Sequence, residues 1–271
     1  MAEETGATFV HPFDDEDVIT GQGTITMEII QELQTVDYIL VPIGGGGLAA
    51  GVSTLAKMLN PKIKVIGVEP ANAASMTEAL DAGQPVTLDK ADTIADGTAV
   101  KTVGTNSFQY VHENVEEVLL VEDDELIGAF LDMVENHKMV VENAGLLTVA
   151  ALKQLDLEGK KVVSILSGGN MDVITMSSIV QHGLIQRDRI FSVSVLLPDK
   201  PGELVRVASI IANAQGNVIK LEHNQFVSTN RNAAVELRIT LESFGTAHKR
   251  EILKALEDAG YKPKCISAKL Y

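Results

Sequence analysis

Four consecutive glycines, Gly44 to Gly47, are the residues whose type and spacing most clearly permit chemistry. They follow the strand-like run 37–43 and precede a helical pattern over 48–59. Because glycine has no side chain, several backbone N–H groups can converge on one anion, and a helix N-terminus adds partial positive charge. The pattern therefore predicts a phosphate-binding loop. A tight strand-to-helix turn is the plainer alternative, although one or two glycines would satisfy it.

The identity of the phosphate is not decided by these glycines alone. A nucleoside-triphosphate loop is excluded, because no Gly-Lys-Ser/Thr follows them. A dinucleotide is a genuine competitor: Gly44, Gly46 and Ala49 fit a relaxed GxGxxG/A spacing, and Glu69 ends the next predicted strand, where a ribose-binding acid would lie. This alternative is a nicotinamide-dependent oxidoreductase.

A second loop favours a different cofactor. Ser167, Gly168, Gly169 and Asn170 follow the strand-like run 161–166. In a parallel sheet, this loop and the glycine loop share the edge where ligands bind. A serine hydroxyl there could offer a neutral hydrogen bond to a ring nitrogen. A dinucleotide-binding fold, by contrast, assigns no role to this loop. The alternative is that this loop is an ordinary turn.

Several motifs in order give the first 185 residues a family resemblance. The segments at 41–48 (VPIGGGGL), 67–70 (GVEP), 93–97 (TIADG) and 166–170 (LSGGN) resemble the signatures of fold-type II pyridoxal-phosphate enzymes. The opening GATFVHPFD at 6–14 and GQGT at 21–24 are similar to threonine dehydratases in particular. The chain therefore resembles a threonine ammonia-lyase.

The resemblance implies a cofactor, a reaction and the residues that hold the cofactor. The cofactor is pyridoxal 5′-phosphate, and the reaction removes water and ammonia from threonine or serine to give 2-oxobutanoate or pyruvate. Ser167 would hydrogen-bond the pyridine nitrogen, and Gly97 would approach the ring through its backbone. The cofactor phosphate would be held by Gly44, Gly45, Gly46, Gly47 and the amide of Leu48.

The family's Schiff-base lysine is not found in this sequence. In the family it lies in a Ser-x-Lys-x-Arg-Gly-like segment, followed by a Ser-Gly-Asn-His motif, and neither occurs here. No catalytic residue is therefore assigned. We expect the chain to be a C-terminal portion of the enzyme, inactive by itself and dependent on a missing N-terminal half.

Acidic residues near the strand ends have two interpretations. In serine racemase-like members a divalent cation is held at the positions of Glu69, Ala73 and Ser75, the last of which is an aspartate there. Oxygen ligands suit Mg²⁺ or Ca²⁺, but losing a carboxylate weakens such a site. We otherwise expect Glu69 to be a solvated acid. The run from Asp14 to Asp17 is expected to be a solvated helix start.

The last 80 residues follow a different pattern. Strands are predicted over 191–197, 217–226, 233–241 and 264–268, with helices over 202–214 and 247–259, a βαββαβ order typical of a ferredoxin-like fold. The segment LPDKPGEL at 197–204 resembles the ACT-domain signature, which implies an amino-acid effector. A ligand-free dimerisation module stays open. The implied effector-binding residues are Gly202, Glu203, Leu204, Asn217 and Val218.

The fold class follows from these patterns and the resemblance. Strands alternating with helices predict a parallel sheet covered on both faces, as a partial fold-type II large domain over 1–188, followed by an ACT domain over 189–271. The charge supports two units. Residues 189–271 carry 12 Lys/Arg and 8 Asp/Glu, a net charge of +4. The chain has 22 Lys/Arg and 37 Asp/Glu in total, so residues 1–188 carry 10 Lys/Arg and 29 Asp/Glu, a net charge of −19.

Composition limits the partners. A net charge of −15 disfavours nucleic acid, and no apolar run is long enough for a membrane helix. One cysteine, Cys265, and the lack of a leader pattern favour the cytoplasm. We expect small amino acids as ligands and a homo-oligomer. A non-catalytic, amino-acid-responsive regulatory subunit is the alternative function.

Overall fold

The computed structural model describes residues 5–225 and 235–268. The chain divides into two compact units, residues 1–176 and 177–271. Across the described ranges, every helix is too short or too polar to cross a membrane. The predicted domain boundary at 188 and 189 stays a prediction.

The first unit is built on a parallel four-stranded sheet, as predicted. Its strands are β1 (Tyr38–Pro42), β2 (Lys64–Pro70), β3 (Glu117–Val121) and β4 (Val162–Ser164), in the order β3-β2-β1-β4. All three pairings are parallel. The helices of this unit are α1 (Glu16–Glu32), α2 (Gly47–Leu59), α3 (Ser75–Ala82), α4 (Thr105–Asn114), α5 (Asp123–Asp132) and α6 (Asn143–Ala151). A further helix, α7 (Val173–Gln186), begins in this unit and continues past residue 176 into the second.

Both faces of the central strands are buried, which explains their continuous apolar sequence. Ile39 and Val41 point to one face and belong to a core shared with Ala50 and Val52 of α2. Leu40, between them, points to the opposite face and is equally buried. Since neighbouring strand residues alternate in direction, an apolar run without polar interruptions indicates cover on both sides.

Of two helices in this unit, α4 was not predicted from the pattern, and only the start of α1 was. In α1 only Ile19, Gly23 and Thr26 are buried, and two of these carry little apolar signal. In α4 the buried residues are Ser107, Phe108 and Val111. Each helix therefore buries only three residues, at least one of which is small or polar, so its apolar periodicity is weak.

The second unit is a strand, helix, strand, strand, helix, strand arrangement. Its elements are β5 (Ile190–Leu197), α8 (Glu203–Asn213), β6 (Asn217–Asn224), β7 (Val235–Glu242), α9 (Thr246–Asp258) and β8 (Lys264–Ile266). The sheet is antiparallel with the order β6-β7-β5-β8. The predicted strand ends at 226 and 233–234 lie outside the described residues.

Asp188 connects the start of α9 to the segment before β5. Its carboxylate accepts hydrogen bonds from Lys249 Nζ at 2.6 Å and Thr246 Oγ1 at 2.8 Å. Its backbone lies in the left-handed region (φ 55°), which aspartate tolerates better than most residues. The Lys249 hydrogen bond is the main cause that lowers the pKa of Asp188, with Thr246 adding to it and partial burial opposing it.

We expect Asp188→Asn to lower the free energy of unfolding by about 1–2 kcal/mol, because the side chain is only partly shielded from water. A lowered carboxyl pKa stabilises the fold above the unfolded value and loses that contribution as pH falls through the folded pKa. Urea unfolding of both proteins at pH 7 and pH 3 checks this. A difference that grows on acidification would contradict it.

Candidate functional site

The glycine loop presents the N-terminus of α2 without any side-chain cap. Gly46 is the N-cap residue, with a left-handed backbone (φ 98°) that favours glycine. The first backbone bond within the turn is from Ala50 N to Gly46 O, at 2.8 Å. No acidic residue lies in the first turn, and no side chain accepts from its amides. These amides and the helix dipole therefore form a site for an anion.

A cavity of about 410 Å³ opens in front of these amides. It lies beyond the carboxyl ends of β1 and β4, so the glycine loop and the loop after β4 share one hollow. Its lining includes all seven residues predicted to hold the cofactor, namely Gly44, Gly45, Gly46, Gly47, Leu48, Gly97 and Ser167. The structure places them together, and their individual roles stay predictions.

Two of the glycines are required by a neighbouring segment. A Cβ on Gly45 would lie 2.2 Å from the Phe13 ring, and a Cβ on Gly47 would lie 2.5 Å from the Phe13 carbonyl oxygen. Phe13 also lines the cavity. Any side chain at these two positions would therefore push this wall away from the loop.

Asp14 fixes Phe13 in place, which corrects the expectation for this one residue, whereas a helix does start in this run, with Glu16 and Asp17 exposed in its first turn. The Asp14 carboxylate accepts three backbone N–H bonds from the first turn of α4, at 3.0, 2.8 and 3.1 Å. Ser107 Oγ donates to the Phe13 carbonyl at 2.8 Å. Only Asp15 caps its own helix, accepting from Asp17 N and Val18 N. No local pattern could reveal partners 91 to 93 residues away.

Asp14→Ala and Asp15→Ala form a matched pair of cap removals. Each is expected to lower the free energy of unfolding by about 1–2 kcal/mol, the usual cost of losing an N-cap. Only Asp14→Ala should also weaken pyridoxal 5′-phosphate binding, by about tenfold, because Phe13, which lines the cavity, would no longer be held in place. Urea unfolding and calorimetric titration of both variants check this. Equal binding losses in both would show that Asp14 acts only on stability.

Glu142 is a site residue that the sequence analysis missed. Its side chain is the single charged one among the described residues that line the cavity. It lies between two glycines: a Cβ on Gly168 would fall 2.2 Å from its Oε1, and one on Gly97 would fall 3.3 Å away. Its Oε2 accepts from Asn170 N at 3.1 Å. An acid that immediately precedes a buried helix, α6, was the available signal.

The loop that carries Gly97 is anchored from α5. Asp123 accepts from Thr93 Oγ1 at 2.6 Å and from Ile94 N at 3.2 Å. The short 3-10 helix Asp96–Thr98 follows, and Thr98 N donates to Ala95 O at 2.9 Å. The segment TIADG is therefore a rigid support that brings the Gly97 backbone to the cavity.

Glu69 is not the solvated strand-end acid that was expected. It is fully buried, and its carboxylate caps α3 by accepting from Met76 N at 2.7 Å, Thr77 N at 2.9 Å and Thr77 Oγ1 at 2.8 Å. Burial raises the pKa of Glu69, and these hydrogen bonds act against the increase. Since its oxygens are committed to α3, Glu69 is not placed as the ribose-binding acid of a dinucleotide site.

The implied divalent cation at Glu69 and Ala73 stays a prediction. Among the residues that the structure describes, no three His, Cys, Asp or Glu side chains are grouped to hold a metal. Ser75 is fully buried and its Oγ has no hydrogen-bond partner. A hydroxyl is a weaker ligand than a carboxylate, so this set is a poor fit for Mg²⁺ or Ca²⁺.

The second unit has a cavity of about 340 Å³ at the predicted effector loop. Gly202, Glu203 and Leu204 line it. Asn217 and Val218 lie at the opposite end of the sheet, where Asn217 pairs with Glu242. Within one chain, the five predicted effector residues therefore do not share a cavity.

Comparison with known proteins gives the chain a clear set of relatives. The family described as pyridoxal-phosphate dependent enzyme matches residues 1–168. An L-threonine ammonia-lyase of Geobacter sulfurreducens is 44% identical over 262 residues, which are 96% of this chain and 65% of that protein. One of Thermotoga maritima is 39% identical over 267 residues, 98% of this chain and 67% of that protein.

A solved structure agrees with these relatives. The processed form of threonine deaminase isoform 2 from Solanum lycopersicum is 37% identical and has a TM-score of 0.63, covering 66% of this chain and 54% of that one. The chain spans about half to two thirds of the length of the curated relatives that it matches.

Proposed function

Because the chain belongs to the pyridoxal-phosphate dependent enzyme family, we propose that it is the cofactor-holding part of a threonine ammonia-lyase. The observation that carries the proposal is the shared hollow between an uncapped helix N-terminus and Ser167. Two L-threonine ammonia-lyases align with nearly all of the chain. Loss of water and ammonia from threonine is therefore the proposed reaction, with serine as a second substrate.

In this proposal, each part of the cavity would hold one part of the cofactor. The uncapped amides from Gly44 to Leu48 would bind the phosphate, and the Gly97 backbone would lie against the ring. Ser167 would donate or accept a neutral hydrogen bond at the pyridine nitrogen. When bound, the cofactor withdraws electrons from the α-carbon of an amino acid, which is what elimination from threonine needs.

Glu142 adds a fixed negative charge to this cavity. Its carboxylate is held by Asn170 N and enclosed by Gly97 and Gly168. A carboxylate in a partly enclosed hollow attracts cationic groups, so Glu142 would orient the ammonium group of an incoming amino acid or favour a proton on the cofactor ring.

The test is cofactor selectivity of the purified chain by isothermal titration calorimetry. Pyridoxal 5′-phosphate is expected to bind about 100-fold more tightly than pyridoxal, because the phosphate makes several charge-assisted hydrogen bonds. NAD⁺ is expected not to bind. Ser167→Ala should weaken the phosphate ester and pyridoxal equally, by about three- to tenfold, since it acts on the ring. Equal affinity for the ester and pyridoxal, or tight NAD⁺ binding, would contradict the proposal.

For residues 189–271 we propose an ACT regulatory domain that binds an amino acid. The element order, the antiparallel sheet and the cavity at Gly202 support this. Because Asn217 lies at the far end of the sheet, an effector contacting both Gly202 and Asn217 would have to lie between two chains, which fits the proposed homo-oligomer. Titration with isoleucine, valine, threonine and serine, alongside sedimentation analysis, tests both points.

One observation favours a second candidate function. No lysine lines the cavity among the described residues, whereas the second unit has its own cavity. A non-catalytic, amino-acid-responsive regulatory subunit would need only the second. Amino-acid binding without any affinity for pyridoxal 5′-phosphate would favour this alternative.

A further inference from the structure

The sheet of the second unit has one face that carries no helix, and part of that face is closed to water. Val193 of β5 and Ile239 of β7 point to the opposite face, where they join the apolar core with α8 and α9. Their neighbours Ser192 and Thr240 therefore point to the open face, where solvated side chains are expected. Both are nevertheless buried, at 4% and 6% exposure. These two residues lie at the floor of a hollow.

The hollow, called the sheet-face cavity below, has a volume of about 240 Å³ and a wall that carries both signs of charge. Lys220, Glu222 and Arg238 line it together with the two floor residues. Ile266 and Ser267, at the end of β8, complete the lining. A wall with both signs of charge favours a zwitterion over a simple anion or cation, because each end of a zwitterion can meet the opposite charge.

The floor of the cavity has a hydroxyl hydrogen to donate. Ser192 Oγ and Thr240 Oγ1 are 2.8 Å apart, and either atom can be the donor. Each hydroxyl has one hydrogen, so the bond between them leaves the other hydrogen for a third atom. Among the described residues, neither hydroxyl has a second hydrogen-bond partner. Buried hydroxyls are normally satisfied, so this one indicates an acceptor oxygen inside the cavity, from water or from a ligand.

The charged side chains of the wall can turn to a ligand at little cost. Lys220 Nζ lies 3.1 Å from Glu222 Oε1, and these side chains are 36% and 44% exposed, so their ion pair contributes little to stability. Arg238 lies opposite Glu222 and diagonally from Lys220 in the ladder. Its bond to Glu236 uses only Nε, so the two terminal NH₂ groups are not used in that bond. A ligand carboxylate beside Lys220 and Arg238 would gain charge-assisted hydrogen bonds.

We propose that the sheet-face cavity binds a free hydroxy amino acid, threonine or serine. The floor hydroxyls would bond the side-chain hydroxyl of the ligand, and Glu222 would bind its ammonium group. None of the seven lining residues lines the cavity at Gly202. The site therefore goes beyond the proposed function, since it is complete within one chain and needs neither the cofactor nor an effector at the Gly202 loop.

The experiment is isothermal titration of the whole chain, without cofactor, with threonine and with valine. Valine has the shape of threonine with a methyl group in place of the hydroxyl. Threonine is expected to bind about threefold to tenfold more tightly, which is the effect of one net hydrogen bond. Acetate, which offers a carboxylate alone, is expected to bind at least tenfold more weakly than threonine. Equal affinity for threonine and valine, or acetate binding as tight as that of threonine, would overturn the proposal.

Substitutions locate the binding. Ser192→Ala combined with Thr240→Val removes both partners of the floor bond at nearly constant shape, which is close to neutral for folding. This double variant should lose the preference for threonine over valine. Glu222→Gln, on the exposed wall, should weaken both amino acids about threefold to tenfold. The control Ser194→Ala removes a buried hydroxyl from the same face of β5, outside the cavity, and should leave both affinities unchanged.

The outcomes separate this site from the other proposed sites. If the double variant fails to fold, Glu222→Gln still decides. Threonine affinity that is unchanged in Glu222→Gln would show that threonine binds elsewhere in the chain, and the sheet-face site would be wrong. A failed titration with pyridoxal 5′-phosphate, beside threonine binding that Glu222→Gln weakens, would count against the proposed function alone.

Discussion

The 271-residue chain, supplied with pyridoxal 5′-phosphate and L-threonine, is expected to release no 2-oxobutanoate above the rate of free cofactor. The resemblance to threonine ammonia-lyases implies a lysine that would carry the cofactor covalently and move the α-proton. The described residues that line the cavity include glycines, Ser167 and Glu142, but no lysine. Without a lysine, neither the covalent step nor the proton transfer has the group that performs it. The turnover rate is therefore expected to be lower by about 10⁶-fold or more.

Two measurements make this result interpretable. Titration calorimetry must first show that the same preparation binds the cofactor, so that inactivity cannot be assigned to an empty site. The L-threonine ammonia-lyase of Geobacter sulfurreducens, assayed in parallel, verifies the keto-acid detection. Turnover by this chain above the free-cofactor rate would contradict the expectation and require another group, such as Glu142, to act as the base.

The parallel sheet and the glycine loop could be predicted because their signals are local. Residues 39–43 are apolar and buried on both faces, which is typical of a strand covered on both sides. Gly46 has the positive φ that a glycine-rich strand-to-helix turn requires. In both cases the cause lies within a few residues of the effect, so one sequence suffices.

The failures share a physical cause, which is a contact that the local sequence pattern does not show. Asp14 caps a helix more than 90 residues later, and its neighbours in sequence give no sign of that. From the sequence, Glu69 was expected to be an exposed acid at a strand end. It is buried because α3 begins directly above its carboxylate. Glu142 is recognisable as a cavity residue only once Gly97 and Gly168 are placed around it.

The second unit shows a related limit. Its element order follows from hydrophobic periodicity and turn residues, and the structure has helices and strands within a few residues of the predicted bounds. The end of the sheet at which a residue lies depends on strand direction. Gly202 precedes α8, and Asn217, which starts β6, follows it. Because α8 lies between them in the chain, the two residues are separated by the length of the sheet.

Replacing Gly47 by alanine is expected to weaken pyridoxal 5′-phosphate binding about 100-fold and to lower the free energy of unfolding by about 1–3 kcal/mol. The new Cβ would lie 2.5 Å from the Phe13 carbonyl oxygen and 2.9 Å from its Cα. These are backbone atoms, held by Ser107 Oγ, so they cannot rotate away as a side-chain tip could. The loop must shift instead, and its amides then no longer converge on the phosphate.

Gly128→Ala is the matched control, since it makes the same chemical change inside a helix. A Cβ on Gly128, in α5, would meet no atom within 4 Å. Alanine is favoured over glycine in a helix by about 1 kcal/mol, so Gly128→Ala should raise stability and leave cofactor affinity unchanged. Gly47 is also the first residue of a helix, so the opposite sign expected there isolates the contact with Phe13. Two stabilised variants with unchanged affinity would show that this contact does not shape the loop.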